Sequence, residues 1–421
     1  MTNHYFIRKL FFAALTSVFF LSPVAGEETR LFIPSYEGEE IIKVRQWEEY
    51  WAGKQIDSTN VQQVKDFLLA PQVKVLSDPG FMRTTRYWFE VVPYRKAIYS
   101  QGQVAMTNKN TPLARLDGDL LADYRNMAGF IFPNPKSGIE AAYNFDMQTR
   151  GDSRLEIQEG NTVEPRTGFV KKDSTRRTEM FWTGRTYGRP YPCIPDNQKD
   201  LRKTLFYKFI APVGMTDAGS LEIMYNDVTR IEDQWFWMKQ FRKVRRISRA
   251  QRGQNIYGTE QLREGTDGWD AHLQLNTYKL LGRKELLLVR HQDTEKIIRE
   301  KGSGVYNGLQ RERIKTFEVE VVSKDPGYTY SKQIWYLDPE QWHILIKLCW
   351  DKKGNLWRCN ENFYQKQKTV HDEYAYVTAG SMNWDVFGRH ASIFLINEVT
   401  EIGQNFPKNI FSVFNLQKRA Y

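Results

Sequence analysis

Hydrophobic and polar positions alternate most regularly between Lys315 and Tyr364. Phe317, Val319 and Val321 alternate with Glu318 and Glu320, a period of two that gives a strand one apolar and one charged face. Three more apolar-rich runs follow, YSKQIWYL, WHILIKLCW and LWRCNENFY, and Ile344, Ile346 and Leu348 continue the alternation. Turn chemistry separates the runs. Asp338-Pro339 puts Asp at the first turn position and Pro at the second, where its fixed φ is already suitable. Lys353-Gly354 supplies a residue free to adopt positive φ. The pattern predicts an antiparallel β-meander with one face on a core.

Elsewhere the pattern is mixed. Ser58-Thr59-Asn60 followed by VQQVKDFLLA predicts a capped amphipathic helix, with Val61, Val64, Phe67 and Leu68 on one face. Residues 83–107 read as strands. Residues 112–128 hold a turn at Asp117-Gly118-Asp119 and a short helix, and a further helix starts near Ile139. Strand signals occupy 149–158, 163–171 and 175–188, then a polar loop covers 193–202. Strands dominate from Thr204 to Tyr364, and short ones recur near 373–378 and 391–400. The fold class is mainly β with a few helices. The domain reading is one elaborated domain over 27–421: a mixed α/β part to about 145, a strand-rich core over 146–365 and a mixed C-terminal tail.

The first 26 residues stand apart. Arg8 and Lys9 precede an apolar run from Leu10 to Leu21, and small residues close it at Val24-Ala25-Gly26. This is the layout of a secretory signal peptide, and the run falls short of the ~18 residues of a membrane span. An uncleaved anchor is the competing reading. Export implies a periplasmic protein. Cleavage removes two basic residues and no acidic ones, so the formal charge changes from +10 to +8.

Three cysteines, Cys193, Cys349 and Cys359, form an odd set. The turn after Asp351 pairs Cys349 with about Leu356 and leaves Cys359 out of register for a disulfide. No cysteine spacing fits zinc. The histidines beyond the leader (His272, His291, His343, His371, His390) are scattered, and His343 reads as a core or edge residue. No nucleophile elbow, zinc-protease helix, phosphate loop or dinucleotide fingerprint is present, so no cofactor is expected. Asp117, Asp119 and Asp123 suit a turn better than a calcium site. Paired acids of a glycosidase come from distant positions and are not readable here.

Arg242, Lys243, Arg245, Arg246, Arg249 and Arg252 form the densest basic cluster, near Trp235 and Phe241. Export argues against nucleic acid. Anionic head groups or an acidic partner fit such a cluster, as does an ordinary solvated strand.

Four segments carry a resemblance: AGFIFPNPKSGIEAAYNF, QWFWMKQFRKVRRISRA, LNTYKLLGRKELLL and IWYLDPEQWHILIKLCWDKKGNLWR. In this order they resemble an exported proteobacterial family of unknown function, labelled outer-membrane lipoprotein-sorting-like. That family is similar in fold to the lipoprotein carriers LolA and LolB. The resemblance implies a curved, unclosed antiparallel half-barrel, with helices over a greasy concave face. Trp235-Phe236-Trp237 resembles the aromatic strand of those carriers, although Lys239-Gln240 replaces the Pro-Gly turn usual after it. The implied function is a carrier for a lipid or other hydrophobic ligand, with envelope transport machinery as a partner and peripheral membrane contact. The chain holds 12 Trp, 22 Tyr and 25 Phe, residues that suit an amphipathic guest. The candidate lining residues are Trp88, Phe181, Trp235, Trp237, Trp335 and Trp342, and the candidates for an anionic head group or partner are Arg242, Lys243, Arg245 and Arg246. Packing of sheet against helix uses the same aromatics. A glycan binder or glycan-active enzyme of the envelope, using exposed tryptophans, is the alternative.

Overall fold

A computed structural model describes residues 32, 34–164, 167, 169–248, 251, 253–256 and 258–418. The leader, Arg249 and Arg252 lie outside the described residues. In chain order the strands are β1 (Gln55–Ile56), β2 (Phe89–Val91), β3 (Leu116–Asp117), β4 (Leu120–Leu121), β5 (Ser153–Glu164), β6 (Phe169–Phe181), β7 (Leu201–Ala211), β8 (Gly219–Tyr225) and β9 (Asp233–Met238). They continue with β10 (Lys243–Arg246), β11 (Asn276–Leu288), β12 (Leu309–Ser323), β13 (Lys332–Leu337), β14 (Ile344–Trp350), β15 (Leu356–Lys368), β16 (Tyr374–Asp385) and β17 (His390–Thr400). The helices are α1 (Glu39–Trp51), α2 (Ala70–Ser77), α3 (Gln101–Asn110), α4 (Gly138–Asp146) and α5 (Val413–Leu416). None of the described helices is long and apolar enough to cross a membrane.

One large antiparallel sheet dominates. From β12 it runs through β13, β14, β15, β16 and β17, then β5, β6, β7, β8, β9 and β10, while β11 pairs β12. The short β2 joins β12 in parallel. No ladder joins β10 to β11 among the described residues, so the sheet is unclosed. Its two halves meet where β17 pairs β5, with Ala391 opposite Val163.

Alternation assigns the two faces. On the first, the N-terminal layer lays Trp51, Val64, Leu76 and Phe81 over Tyr336, Ile346, Phe363, Trp384 and Ile393. Further along the same face, Phe406, Phe411 and Leu416 of the C-terminal tail pack on Met180 and Leu221. On the second face, α4 lays Ala142 and Phe145 over Phe317, Val319, Trp335 and Leu337. Ser137 starts α4, its hydroxyl accepting from the Glu140 backbone N–H. Beyond α4 the second face is crossed by the strap, residues 253–256 and 258–275, which holds 3-10 turns at Arg263–Gly268 and Leu273–Leu275 and otherwise irregular backbone.

The meander forms as the alternation predicts, with one refinement. A bulge at Tyr336/Leu337 sets Ile344 opposite Leu337 and Ile346 opposite Tyr336. It turns Ile344 to the α4 face, while Ile346 and Leu348 face the N-terminal layer. Cys349 pairs Arg358 and Cys359 pairs Leu348, so the two thiols occupy opposite faces and are free.

Two local predictions are corrected. Residues 61–67 form two 3-10 turns, and the α-helix begins only at Ala70. The Asp57 carboxylate takes the Thr59 backbone N–H into a local turn, and Pro71 confines the helix to start beside it. Of residues 83–107, read as strand, only Phe89–Val91 is strand, and 101–107 belong to α3. Ser100 Oγ accepts from the Gln103 backbone N–H while Gln103 Oε1 accepts from that of Ser100, a reciprocal cap that fixes a helix start.

Candidate functional site

Charge concentrates beneath the strap. Arg154 and Glu156 alternate on β5, and Arg177 and Glu179 alternate on β6, so all four side chains share the strapped face. Register sets Arg154 opposite Glu179 and Glu156 opposite Arg177. Arg154 donates to Glu156 at 2.5 Å and also contacts Glu179. Arg177 contacts Glu156 and Glu179, each at 3.2 Å. The strap adds Asp267, whose Oδ2 accepts from Arg177 at 2.7 Å and Arg154 at 2.8 Å. Thr378 donates to its other oxygen at 2.8 Å. Arg150 lies 3.5 Å from Asp267, and Lys203 pairs Asp270. Four cations thus meet four anions.

Burial alone would raise the Glu179 carboxyl, but Arg154, Arg177 and Lys203 override it and hold it at about 2. Against the same opposing burial, Arg177, Arg154 and Arg150 hold Asp267 well below the usual carboxylate range. Gly268 lets the strap descend this far. Its φ is +97°, and a Cβ there would stand 2.9 Å from that of Ile344. Lys347 Nζ donates to its carbonyl at 2.8 Å.

Beside the network lies a cleft of about 100 Å³ with mostly apolar walls. Leu205, Tyr207 and Phe209 of β7 form one wall, Phe394 of β17 another, and Ile256 lines it from the strap. Arg177 and Gln158 line both this cleft and an adjoining 30 Å³ crevice that reaches Asp267. Asp173, also in the wall, has its carboxyl raised by burial. Side chains anchor the strap: Glu260 binds His390 and Ser392, and Arg358 donates to Asn255 Oδ1 at 3.0 Å and to the Glu260 carbonyl at 2.9 Å.

A larger cavity, about 740 Å³, opens where the strap meets the turn between β12 and β13. Trp269 and Tyr328 supply aromatic surface, and Glu264, Gln254, Gln274, Asn276 and Lys324 supply polar groups. The Oδ1 of buried Asn276 has no hydrogen-bond partner among the described residues.

The aromatics proposed from sequence occupy several places. Trp335 is fully buried, with Phe145, Trp269 and Tyr278 around its ring. Trp342 belongs to the same core and stacks on Phe317. Phe181 is buried beside Arg150, Arg202 and Lys203. Trp88 lies next to Arg86, apart from the strap. Trp235 and Trp237 are half-buried on β9, on the face covered by the C-terminal tail. The cleft instead uses Leu205, Tyr207, Phe209, Ile256 and Phe394, which sequence reasoning did not single out. The i, i+2, i+4 spacing of the first three was visible, but the covering strap was not.

Arg242 sits in a tight turn with φ +47°, and Lys243, Arg245 and Arg246 follow on the edge strand β10, where charge protects an unpaired edge. Arg246 pairs Asp233. His343 is buried against Tyr364 and held well below the usual histidine range, first by burial and then by Arg150. Asp117 and Asp119 bracket the β3–β4 hairpin, where Asp119 binds Lys324. No group of three His, Cys, Asp or Glu suited to a metal occurs among the described residues.

No curated protein matches the chain. Among solved structures it is similar to an outer membrane lipoprotein-sorting protein domain from Vibrio parahaemolyticus, with TM-score 0.48 and 14% identity, covering 67% of this chain and 98% of that one. A DUF1329 family protein from Desulfovibrio piger gives TM-score 0.48 and 14% identity over 66% and 96% of the two chains. A LolA superfamily protein from Nitrosomonas europaea gives 0.40 and 10% over 64% and 94%. The family described as "Protein of unknown function (DUF1329)" matches residues 55–417, and the chain belongs to that family.

Proposed function

We propose that this protein is a carrier that holds a lipid or other hydrophobic ligand between the strap and β7, and moves it through the periplasm toward the outer membrane. The observation that carries this reading is the cleft whose apolar walls are Leu205, Tyr207, Phe209 and Phe394, lined on its other side by Ile256 of a strap tied down through side chains. At about 100 Å³ it is smaller than the ~300–1,000 Å³ of most ligand pockets, so loading lifts the strap. Arg177 Nε has no hydrogen-bond partner among the described residues and offers a donor to a polar head group. Carriage asks for binding and release, not for bond making. Export by the leader sets the compartment, and envelope transport machinery is the partner such a carrier would serve.

The test is native mass spectrometry of protein purified from an envelope fraction, followed by uptake of a fluorescent fatty acid by delipidated protein. Ile256→Glu and Phe394→Ser should each reduce uptake at least tenfold with folding intact. Ligand-free protein that takes up no probe refutes the carrier.

A second reading, a glycan binder or glycan-active enzyme, is favoured by one observation: Trp269, Tyr328 and several amides and carboxylates converge on the 740 Å³ cavity. Binding of envelope oligosaccharides that Asn276→Ala abolishes, with no lipid uptake, would replace the first reading by this one.

A further inference from the structure

Two hairpin tips project together at one end of the sheet. Gly219 at the start of β8 pairs Trp237 at the end of β9, so the β7–β8 and β9–β10 turns lie at the same end. Gln240 Nε2 joins them by donating to the Gly214 carbonyl at 2.8 Å. Both tips carry apolar side chains into solvent: Val213 is 93% exposed, Phe241 52% and Ile210 39%. Apolar groups exposed together on joined turns, rimmed by polar residues, are the kind of surface that marks an interaction site.

Cations surround the tips. Lys239, Arg242, Lys243 and Arg245 are all exposed, and Arg245 lies 4.9 Å from the Phe241 ring centroid. Over residues 208–217 and 238–246 the sequence holds six basic residues and one acid, Asp217. Two of the six are engaged: Arg246 pairs Asp233, and Lys208 is buried, donating to the Asp217, Leu416 and Lys418 carbonyls. The other four leave a net positive rim around an apolar point.

We infer that the paired tips at Val213 and Phe241 form a membrane-docking surface, inserting apolar side chains among acyl chains while Lys239, Arg242, Lys243 and Arg245 engage anionic head groups. Two features favour a bilayer over a protein. The apolar groups sit on projecting turns, which a fluid interface accommodates without a preformed pocket. Apolar insertion combined with basic charge is also the pairing of signals that stable interfacial binding requires. Strand β7 connects this surface to the cleft, running from Leu205, Tyr207 and Phe209 to Ile210 and the tip. The surface stands on its own observations, and its failure would leave the carrier reading intact.

The experiment is cosedimentation of the processed, purified protein with vesicles of phosphatidylethanolamine and phosphatidylglycerol, against vesicles of phosphatidylcholine alone. Binding to the anionic vesicles, weakened by salt, is expected. Val213→Asp combined with Phe241→Ser should lower it at least tenfold. Lys243→Gln and Arg245→Gln should lower it roughly fivefold per charge removed. All these positions are exposed, and an unchanged thermal midpoint confirms folding. The tip variants should still take up a soluble fluorescent fatty acid, whereas Ile256→Glu should dock but not load. The inference is overturned if the parent ignores anionic vesicles, if the tip variant binds as the parent does, or if the tips bind a soluble acidic protein instead of vesicles.

Discussion

Arg177 Nη2 donates to Asp267 Oδ2 at 2.7 Å across 90 residues of sequence, fastening the strap to the floor of the sheet. Arg154 and Thr378 share the same carboxylate. Removing its charge leaves Arg154 and Arg177 sharing Glu156 and Glu179 alone and takes the neighbouring carboxylate from buried Arg150. Asp267→Asn should therefore cost about 3–5 kcal/mol, the usual penalty for breaking a buried pair from one side. Urea denaturation measures it. A loss under 1 kcal/mol would show that the network contributes little.

Acid should act through the same groups. Glu179 and Asp267 have folded-state values below their ordinary 4.5 and 3.8. Depressed carboxyls stabilise the fold above their unfolded values and lose that contribution as pH falls through the folded ones. Stability should decline below about 4.5 and keep falling toward about 2, the value at which Glu179 titrates. Thermal midpoints across that range test it, and Asp267→Asn should flatten the profile.

The Glu260–His390 contact responds in the opposite direction. Hydrogen bonding to Glu260 raises the imidazole above its ordinary 6.5. A raised histidine stabilises the folded state below the unfolded value and loses that contribution as pH rises through the folded one. Hydrogen exchange over 258–262, corrected for its intrinsic pH dependence, should therefore speed up as the pH climbs past 6.5. His390→Phe should remove this response. Exchange that tracks pH identically in both proteins would discount His390 as a strap latch.

Trp335 and Ile256 should separate packing from binding. Trp335 is fully buried under α4, so Trp335→Ala should cost about 3–5 kcal/mol. Ile256 is half-buried on the strap, so Ile256→Glu should spare stability and abolish lipid uptake. Paired denaturation and uptake measurements decide. Equal stability losses would place Ile256 in the core.

Reducing agent should leave the thermal midpoint unchanged, since Cys349 and Cys359 point to opposite faces and are free. A drop in the midpoint would reveal a disulfide.

Local chemistry made much of this legible. The meander, the turn at Asp338-Pro339 and the start of α4 follow from alternation, a fixed proline φ and a serine cap, each acting over a few residues. The capping pair Ser100 and Gln103 is equally visible, yet the run to residue 107 reads as strand because it lacks a strong helical apolar face. The alternating Arg154-Glu156 and Arg177-Glu179 pairs stood in the sequence as well, but alternating charges describe a solvated face equally well until something covers them.

The chain by itself determined the elements: period-two patterning, turn residues and caps set strand and helix through local free energies. Tertiary structure decided the rest. The pairing of β17 with β5, the descent of Asp267 onto Arg177 and the covering of Leu205, Tyr207 and Phe209 by Ile256 all join distant segments. Alternation separates the two faces of a strand, but which face is covered, and by what, depends on where chain from far away in the sequence comes to rest.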